Sequence, residues 1–138
     1  MARVVGAKAH AARLKRLRSP AMVREVGKAI YVAADILTVD AAISITTGAV
    51  SGKNHVPSAP GEPPNADTHV LDRSVHTERE GPLKALSVAD APYAVALEAG
   101  TSKMAARPFM APAAQRTRPK ARRLVAEAVK RVVRGGAL

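Results

Sequence analysis

The sequence predicts an α+β fold: two N-terminal helices, a small antiparallel sheet of three to four strands fed by a long proline-rich loop, and a basic amphipathic helix at the C-terminus. Three observations carry this. Apolar residues recur at helical spacing near both ends, the apolar period shortens between residues 70 and 99, and prolines crowd positions 57–64 in the middle. A chain of 138 residues suits one domain. Its parts are 1–47 (helical), 48–68 (proline-rich extended loop), 69–111 (sheet) and 112–138 (C-terminal helix).

The first helix is expected over residues 4–17, where Ala7, Ala11, Leu14 and Leu17 recur with Lys8, Lys15, Arg16 and Arg18 interleaved. Ser19-Pro20 restarts the chain as a second helix, because a serine hydroxyl caps free amides and proline at the first helical position gives up no needed hydrogen bond. Its stripe of Val26, Ile30, Ala33, Leu37 and Ala41 runs to about Thr46, and Gly48 is the expected stop. Pro57, Pro60, Pro63 and Pro64 then deny the chain backbone donors, which makes 48–68 a loop. So long a loop tends to be functional or ordered by a partner.

Three short strands are expected next: a run containing Val70, Leu71, Val75 and Thr77, a second from Leu83 to Val88 after Gly81-Pro82, and a third on the alternation Tyr93, Val95, Leu97. The last helix is expected to open at Pro112 or Pro119. It places Ala121, Val125, Ala128 and Val132 on one face and Lys120, Arg122, Arg123, Lys130, Arg131 and Arg134 on the other, with Gly135-Gly136 ending it. The element order is ααβββα.

Hydrophobic residues make up 47% of the chain, but aromatics only 2%, so the core must be built mostly from Ala and Val. Such a core buries little area per residue, and help from neighbouring subunits is expected. The absence of cysteine excludes disulfides, thiolate ligands and cysteine nucleophiles. No signal-peptide core and no uninterrupted apolar run of membrane-spanning length stands out, so no membrane partner is expected and the cytoplasm is the expected place of synthesis.

The net charge of +11 is unevenly spread. Residues 1–31 hold eight Lys/Arg and one acid, 32–102 hold four against nine, and 103–138 hold ten against one. A basic total suggests DNA nearby, while the acidic middle argues against a protein that coats DNA with its whole surface. The basic helices suit phosphates, the acidic middle of a neighbouring subunit, or solvent; the scarcity of aromatics disfavours single-stranded nucleic acid.

His10, His55, His69 and His76 match no zinc or HExxH spacing, and no carboxylate cluster adjoins the last two in sequence. Asp72, Ser74 and His76 include the residue types of a hydrolase triad and would share one strand face, but no GxSxG elbow is present. Phosphate-cradling glycine motifs are missing as well. No catalytic residue, metal ligand or cofactor is expected, and the chain reads as no enzyme.

The segment 93–113, YAVALEAGTSKMAARPFMAPA, resembles the signature of the phage neck, or tail-completion, family of long-tailed bacteriophages, a YA-x-x-x-E-x-GT-x-x-M-x-A-x-PF-x-x-PA pattern. Tyr93, Ala94, Glu98, Gly100, Thr101, Met104, Ala106, Pro108, Phe109, Pro112 and Ala113 match it. Upstream, GEPP at Gly61, Glu62, Pro63 and Pro64 is followed by a stretch similar to TG-x-L-x-x-S, in which His69 stands where the pattern has glycine. The resemblance implies a structural virion protein at the head–tail junction. It implies a homo-oligomeric ring, hexameric or dodecameric, that admits genomic double-stranded DNA and contacts head-closure (stopper), tail-terminator and tail-tube proteins.

Bottom-up, residues 93–113 read as a strand-to-helix junction. Gly100 takes a positive φ, Met104 and Phe109 supply apolar anchors, and Pro108 and Pro112 set the direction into the last helix. The junction packs within one subunit or against a neighbour. Two further expectations concern neighbours: the proline loop around Pro57, Gly61, Glu62, Pro63 and Pro64 reaches another subunit, and Glu62, Asp67, Asp72 and Glu98 line a lumen or pair with basic helices. The alternative reading is a basic DNA-binding or DNA-packaging protein that forms no ring.

Overall fold

A computed structural model describes residues 5–47 and 54–135. The α+β class holds, with seven elements among the described residues: α1 (Ala7–Leu17), α2 (Pro20–Thr46), α3 (Val70–Ser74), β1 (Val75–Gly81), β2 (Lys84–Ala89), α4 (Ala94–Ala99) and α5 (Met110–Val133). Gly48, Gly136 and the start of the proline-rich loop lie outside the described residues.

The spine is α2. Ser19 caps it as its sequence demands, its Oγ accepting from the Met22 amide at 3.2 Å, and Pro20 occupies the first helical position. One side of α2 carries the β1–β2 hairpin and another carries α5, which runs antiparallel to it: Ala41 and Ile45 meet Phe109 and Ala113, and Arg116 bonds Asp40 at 2.9 Å. An 18-residue window of α2 has a mean hydropathy of 1.6, apolar enough to cross a bilayer by length and composition, with 22% of that window buried. Apolar residues thus lie around most of α2, as a helix packed on two sides requires.

The core is as thin as composition implied. Of the twelve buried apolar residues described, seven are alanine, and only Phe109 and Ile45 are large and fully enclosed. Between α2 and the sheet a polar contact lies beside the apolar cluster that includes Leu37, Ala41, Val75 and Ala89. Thr38 sits 2.7 Å from Ser87 Oγ and 2.8 Å from Thr77 Oγ1, and Thr77 donates to Asp35 at 3.1 Å. The Ser87, Thr38 and Thr77 hydroxyls form one network that ends on Asp35 Oδ1 and the Ala34 carbonyl, so the small side chains that let sheet and helix approach keep their polar atoms partnered. Nearby, Gly27 accepts the hairpin turn: a Cβ there would overlap the Pro82 carbonyl oxygen.

The sheet has two strands where three to four were expected, paired antiparallel from Val75↔Ala89 to Gly81↔Lys84 with an irregularity after Arg79. The segment expected as a third strand is the helix α4. Tyr93, Val95 and Leu97 alternate, but Ala, Leu and Glu are strong helix formers. Ala94 and Leu97, three apart, face the core, while Val95 is 77% exposed. Likewise Val70 and Leu71 begin a single helical turn, with Leu71 buried and Asp72 in the first turn.

The first helix begins at Ala7, later than expected, and buries none of its residues. It is held to the far end of α5 by Arg16, whose guanidinium donates to the Val133 carbonyl at 2.9 Å. That contact satisfies a carbonyl the helix terminus leaves free. The last helix starts at Met110, ahead of both prolines. Pro112 falls in its first turn, where a missing amide costs nothing, and Pro119 lies inside it.

Candidate functional site

Residues 93–113 form a helix-to-helix junction, where a strand-to-helix one was expected. Gly100 ends α4 with φ +77 and ψ 172, and a Cβ there would stand 2.9 Å from the Ala106 amide nitrogen, so glycine is required twice over. The chain then makes a tight loop in which the Thr101 amide donates to the Met104 carbonyl at 2.8 Å and Thr101 Oγ1 accepts from the Lys103 amide at 3.3 Å. The Arg107 amide returns to the Leu97 carbonyl at 2.6 Å.

Glu98 does what its position in sequence did not disclose. Its carboxylate accepts the backbone amides of Phe109 at 2.8 Å, Met110 at 3.0 Å and Ala111 at 2.8 Å. No side chain of the residue preceding α5 caps it, so Glu98 reaches across from α4 and places a negative charge on the positive end of a long helix. Phe109 follows Pro108 into the core at 1% exposure. Met104, expected as a second anchor, is only half-buried. Of the carboxylates expected to line a lumen or meet basic helices, Glu98 is therefore committed to its own subunit.

The proline loop folds back onto this junction. Gly61, at φ +85, donates to the Ala106 carbonyl at 2.9 Å, Asn65 Nδ2 donates to the Val56 carbonyl at 2.8 Å, and the Ala66 amide donates to the Ile45 carbonyl at 2.9 Å. Glu62 Oε2 closes the turn on the Ala59 amide at 3.4 Å. Pro64 is buried, Pro63 half-buried and Pro57 exposed.

Between loop, α3 and junction opens a pocket of about 220 Å³. Pro57, Ser58 and Pro64 come to it from the loop, Asp72 from α3, and Tyr93 and Arg107 from the junction. The two segments singled out in sequence thus share one cavity. Gly100, Thr101, Met104, Phe109 and Pro112 do not line it.

Ser58, Asp72 and Arg107 each hold a buried polar atom with no hydrogen-bond partner, Oγ, Oδ1 and Nε respectively. All three residues line the pocket, so a partner group or water seated there can satisfy them. Sequence reasoning missed Ser58 and Arg107; the only available signal was that Arg107 lies inside the matched motif.

His69 forms the pocket's edge. At φ +63 it is the one non-glycine residue with a left-handed backbone among those described, at the position where the motif has glycine. Its Nδ1 lies 3.2 Å from Asp72 Oδ2. Asp72 and Ser74 belong to α3 and His76 to β1, so the expected shared strand face does not form.

A second polar cluster lies on the hairpin, where Glu78 stands two residues from His76 on β1 and strand pairing brings in Asp90. His76 Nε2 is 2.7 Å from Glu78 Oε1 and 3.6 Å from Asp90 Oδ2, while its Nδ1 meets the Ser74 carbonyl at 2.9 Å. The bond to Glu78 and the one to Ser74 hold the imidazole above its ordinary value of 6.5. The three side chains' ligand atoms lie within 4.8 Å of one another, at a half-exposed to exposed surface.

We compared the chain with protein-family models, curated proteins and solved structures. None of them matches. The site is therefore read from its own geometry.

Proposed function

We propose that the chain is a structural, non-enzymatic virion protein of a long-tailed bacteriophage, one subunit of a ring in the head–tail neck through which double-stranded DNA passes. It acts by shape, contacting copies of itself, most simply as a hexamer or alternatively a dodecamer, and the head-closure, tail-terminator and tail-tube proteins on either side. The observation that carries this reading is His69. The motif asks for glycine there, and the chain adopts the backbone that glycine favours even with histidine in place, at φ +63. Gly100 and Glu98 add to it, each performing a task that its residue type suits.

The thin alanine core and the pocket where loop and junction meet favour a subunit that gains stability from neighbours. Negative-stain imaging of virions and purified protein tests the proposal. The expected result is rings of uniform diameter at the head–tail junction, and unjoined heads and tails when the gene is deleted. Infectious, fully joined particles assembled without the protein would overturn it.

A basic DNA-binding protein without ring assembly is the second reading. It is favoured by one observation: α1 carries no acid and α5 only Glu127, while Lys120, Arg122, Arg123 and Arg131 are exposed. That reading requires duplex binding by the isolated chain whose affinity falls steeply with salt.

A further inference from the structure

We propose that the pocket between the proline loop, α3 and α4 receives helix α1 of a second copy, in a head-to-tail contact. This rests on the ring reading only for closure; the contact itself concerns two copies.

Both halves of the contact lie exposed on the same chain. In α1 no residue is buried, and Leu14 and Leu17 are 47% and 45% exposed. A helix of 11 residues with no buried face is marginal in water by itself. At the pocket, Val70 and Tyr93 are 50% and 43% exposed, lining a concavity with Pro57, Pro64 and Leu97. Apolar side chains grouped around a concavity mark an interaction surface more often than scattered ones do.

Charge selects the occupant. From Lys8 to Arg18 the arm carries Lys8, Arg13, Lys15, Arg16 and Arg18 and no acid. The pocket lining carries Asp67, 3.9 Å from His55, and Asp72, 3.2 Å from His69, with Glu62 on the adjoining loop, and Arg107 is the one Lys or Arg among the described lining residues. An apolar helix edge flanked by cations therefore meets an apolar concavity flanked by carboxylates. That pairing gives orientation and rate as well as area.

Geometry makes the contact one between copies. The arm adjoins the start of α2 and the end of α5, where Arg16 bonds Val133; the pocket adjoins the end of α2, where Ala66 bonds Ile45. The 27 residues of α2 separate them by about 40 Å at about 1.5 Å per residue, so one subunit cannot fill its own pocket. Unlike surfaces at opposite ends make a heterologous contact, the kind that closes into rings when the rotation permits.

The cysteine-free chain allows a direct test by pairing single-cysteine variants under oxidising conditions. An equimolar mixture of Leu14→Cys and Val70→Cys is expected to form a disulfide-linked dimer in much higher yield than either variant alone. It is also expected to exceed a mixture of Leu14→Cys with Val39→Cys, a residue 49% exposed in the C-terminal third of α2 and outside the pocket lining. In sedimentation, Leu14→Asp with Leu17→Asp is expected to weaken self-association by about tenfold or more, as loss of two buried leucines would.

Equal cross-linking to Val39→Cys overturns the docking while leaving the ring reading in place, as does unchanged association of the Leu14→Asp, Leu17→Asp variant. A wild-type chain that stays monomeric at every concentration and yields no cross-link overturns the docking too. Rings imaged in virions would then decide the ring reading separately.

Discussion

Replacing Glu98 probes the junction where the motif does most of its structural work. Glu98→Ala removes the acceptor for the amides of Phe109, Met110 and Ala111, of which the first two bonds are partly buried. Loss of a helix cap costs about 0.5–2 kcal/mol, and loss of an anion at a helix N-terminus about 0.3–1 kcal/mol more. The amide of Phe109 has no water to turn to while its ring stays in the core, which adds about 1 kcal/mol for an unsatisfied buried donor. The sum is about 3 kcal/mol. For a chain of this size that lowers Tm by roughly 9 °C, taking about 3 °C per kcal/mol. Glu98→Gln keeps one acceptor oxygen and loses the charge, so about half that shift is expected. Thermal unfolding followed by circular dichroism at neutral pH measures both, and hydrogen exchange at residues 109–111 localises the effect. A Glu98→Ala protein melting within about 2 °C of wild type would refute the reasoning, since a three-amide cap cannot be lost so cheaply.

Three other outcomes follow from the same geometry. Gly100→Ala is expected to destabilise by about 2–4 kcal/mol, because a side chain at φ +77 is strained and its Cβ would press on the Ala106 amide; chemical denaturation checks it. His69→Gly is expected to be more stable than His69→Ala by about 1 kcal/mol, since both lose the bond to Asp72 and only alanine keeps the left-handed cost; equal midpoints would contradict the conformation assigned here. Glu78 and the Ser74 carbonyl favour the protonated form of His76, so its folded-state pKa exceeds the unfolded one. Its stabilising contribution is complete below about 6.5 and is lost as pH rises through the folded value. An NMR titration should place His76 above 6.5, and Glu78→Gln should bring it down and flatten the stability slope over that window.

Much of the local structure was legible in the sequence because local chemistry decides it. Ser19-Pro20 opens α2 whatever the rest of the chain does, the prolines keep the loop out of helix and sheet, and Gly81-Pro82 lies at the hairpin turn. Alternation misled at Tyr93, Val95 and Leu97, since a six-residue segment is too short for period alone to separate strand from helix. Propensity pointed the right way there: Ala, Leu and Glu won over the spacing of Val95.

By itself the sequence determined the helical ends, the proline-rich connection, the alanine-rich, aromatic-poor make-up of the core and the basic–acidic–basic division of charge, because each follows from composition or from neighbours within a few residues. The tertiary structure alone decided the rest. Glu98 finds the start of α5 only because a tight loop turns α4 back on it, and Thr38, Thr77 and Ser87 share one hydrogen-bond chain only because the hairpin lies on α2. The pocket likewise exists only where the Gly61 amide bonds Ala106, bringing two segments some forty residues apart into one surface. Contacts across such separations depend on how elements pack, and packing leaves no period in the sequence to read.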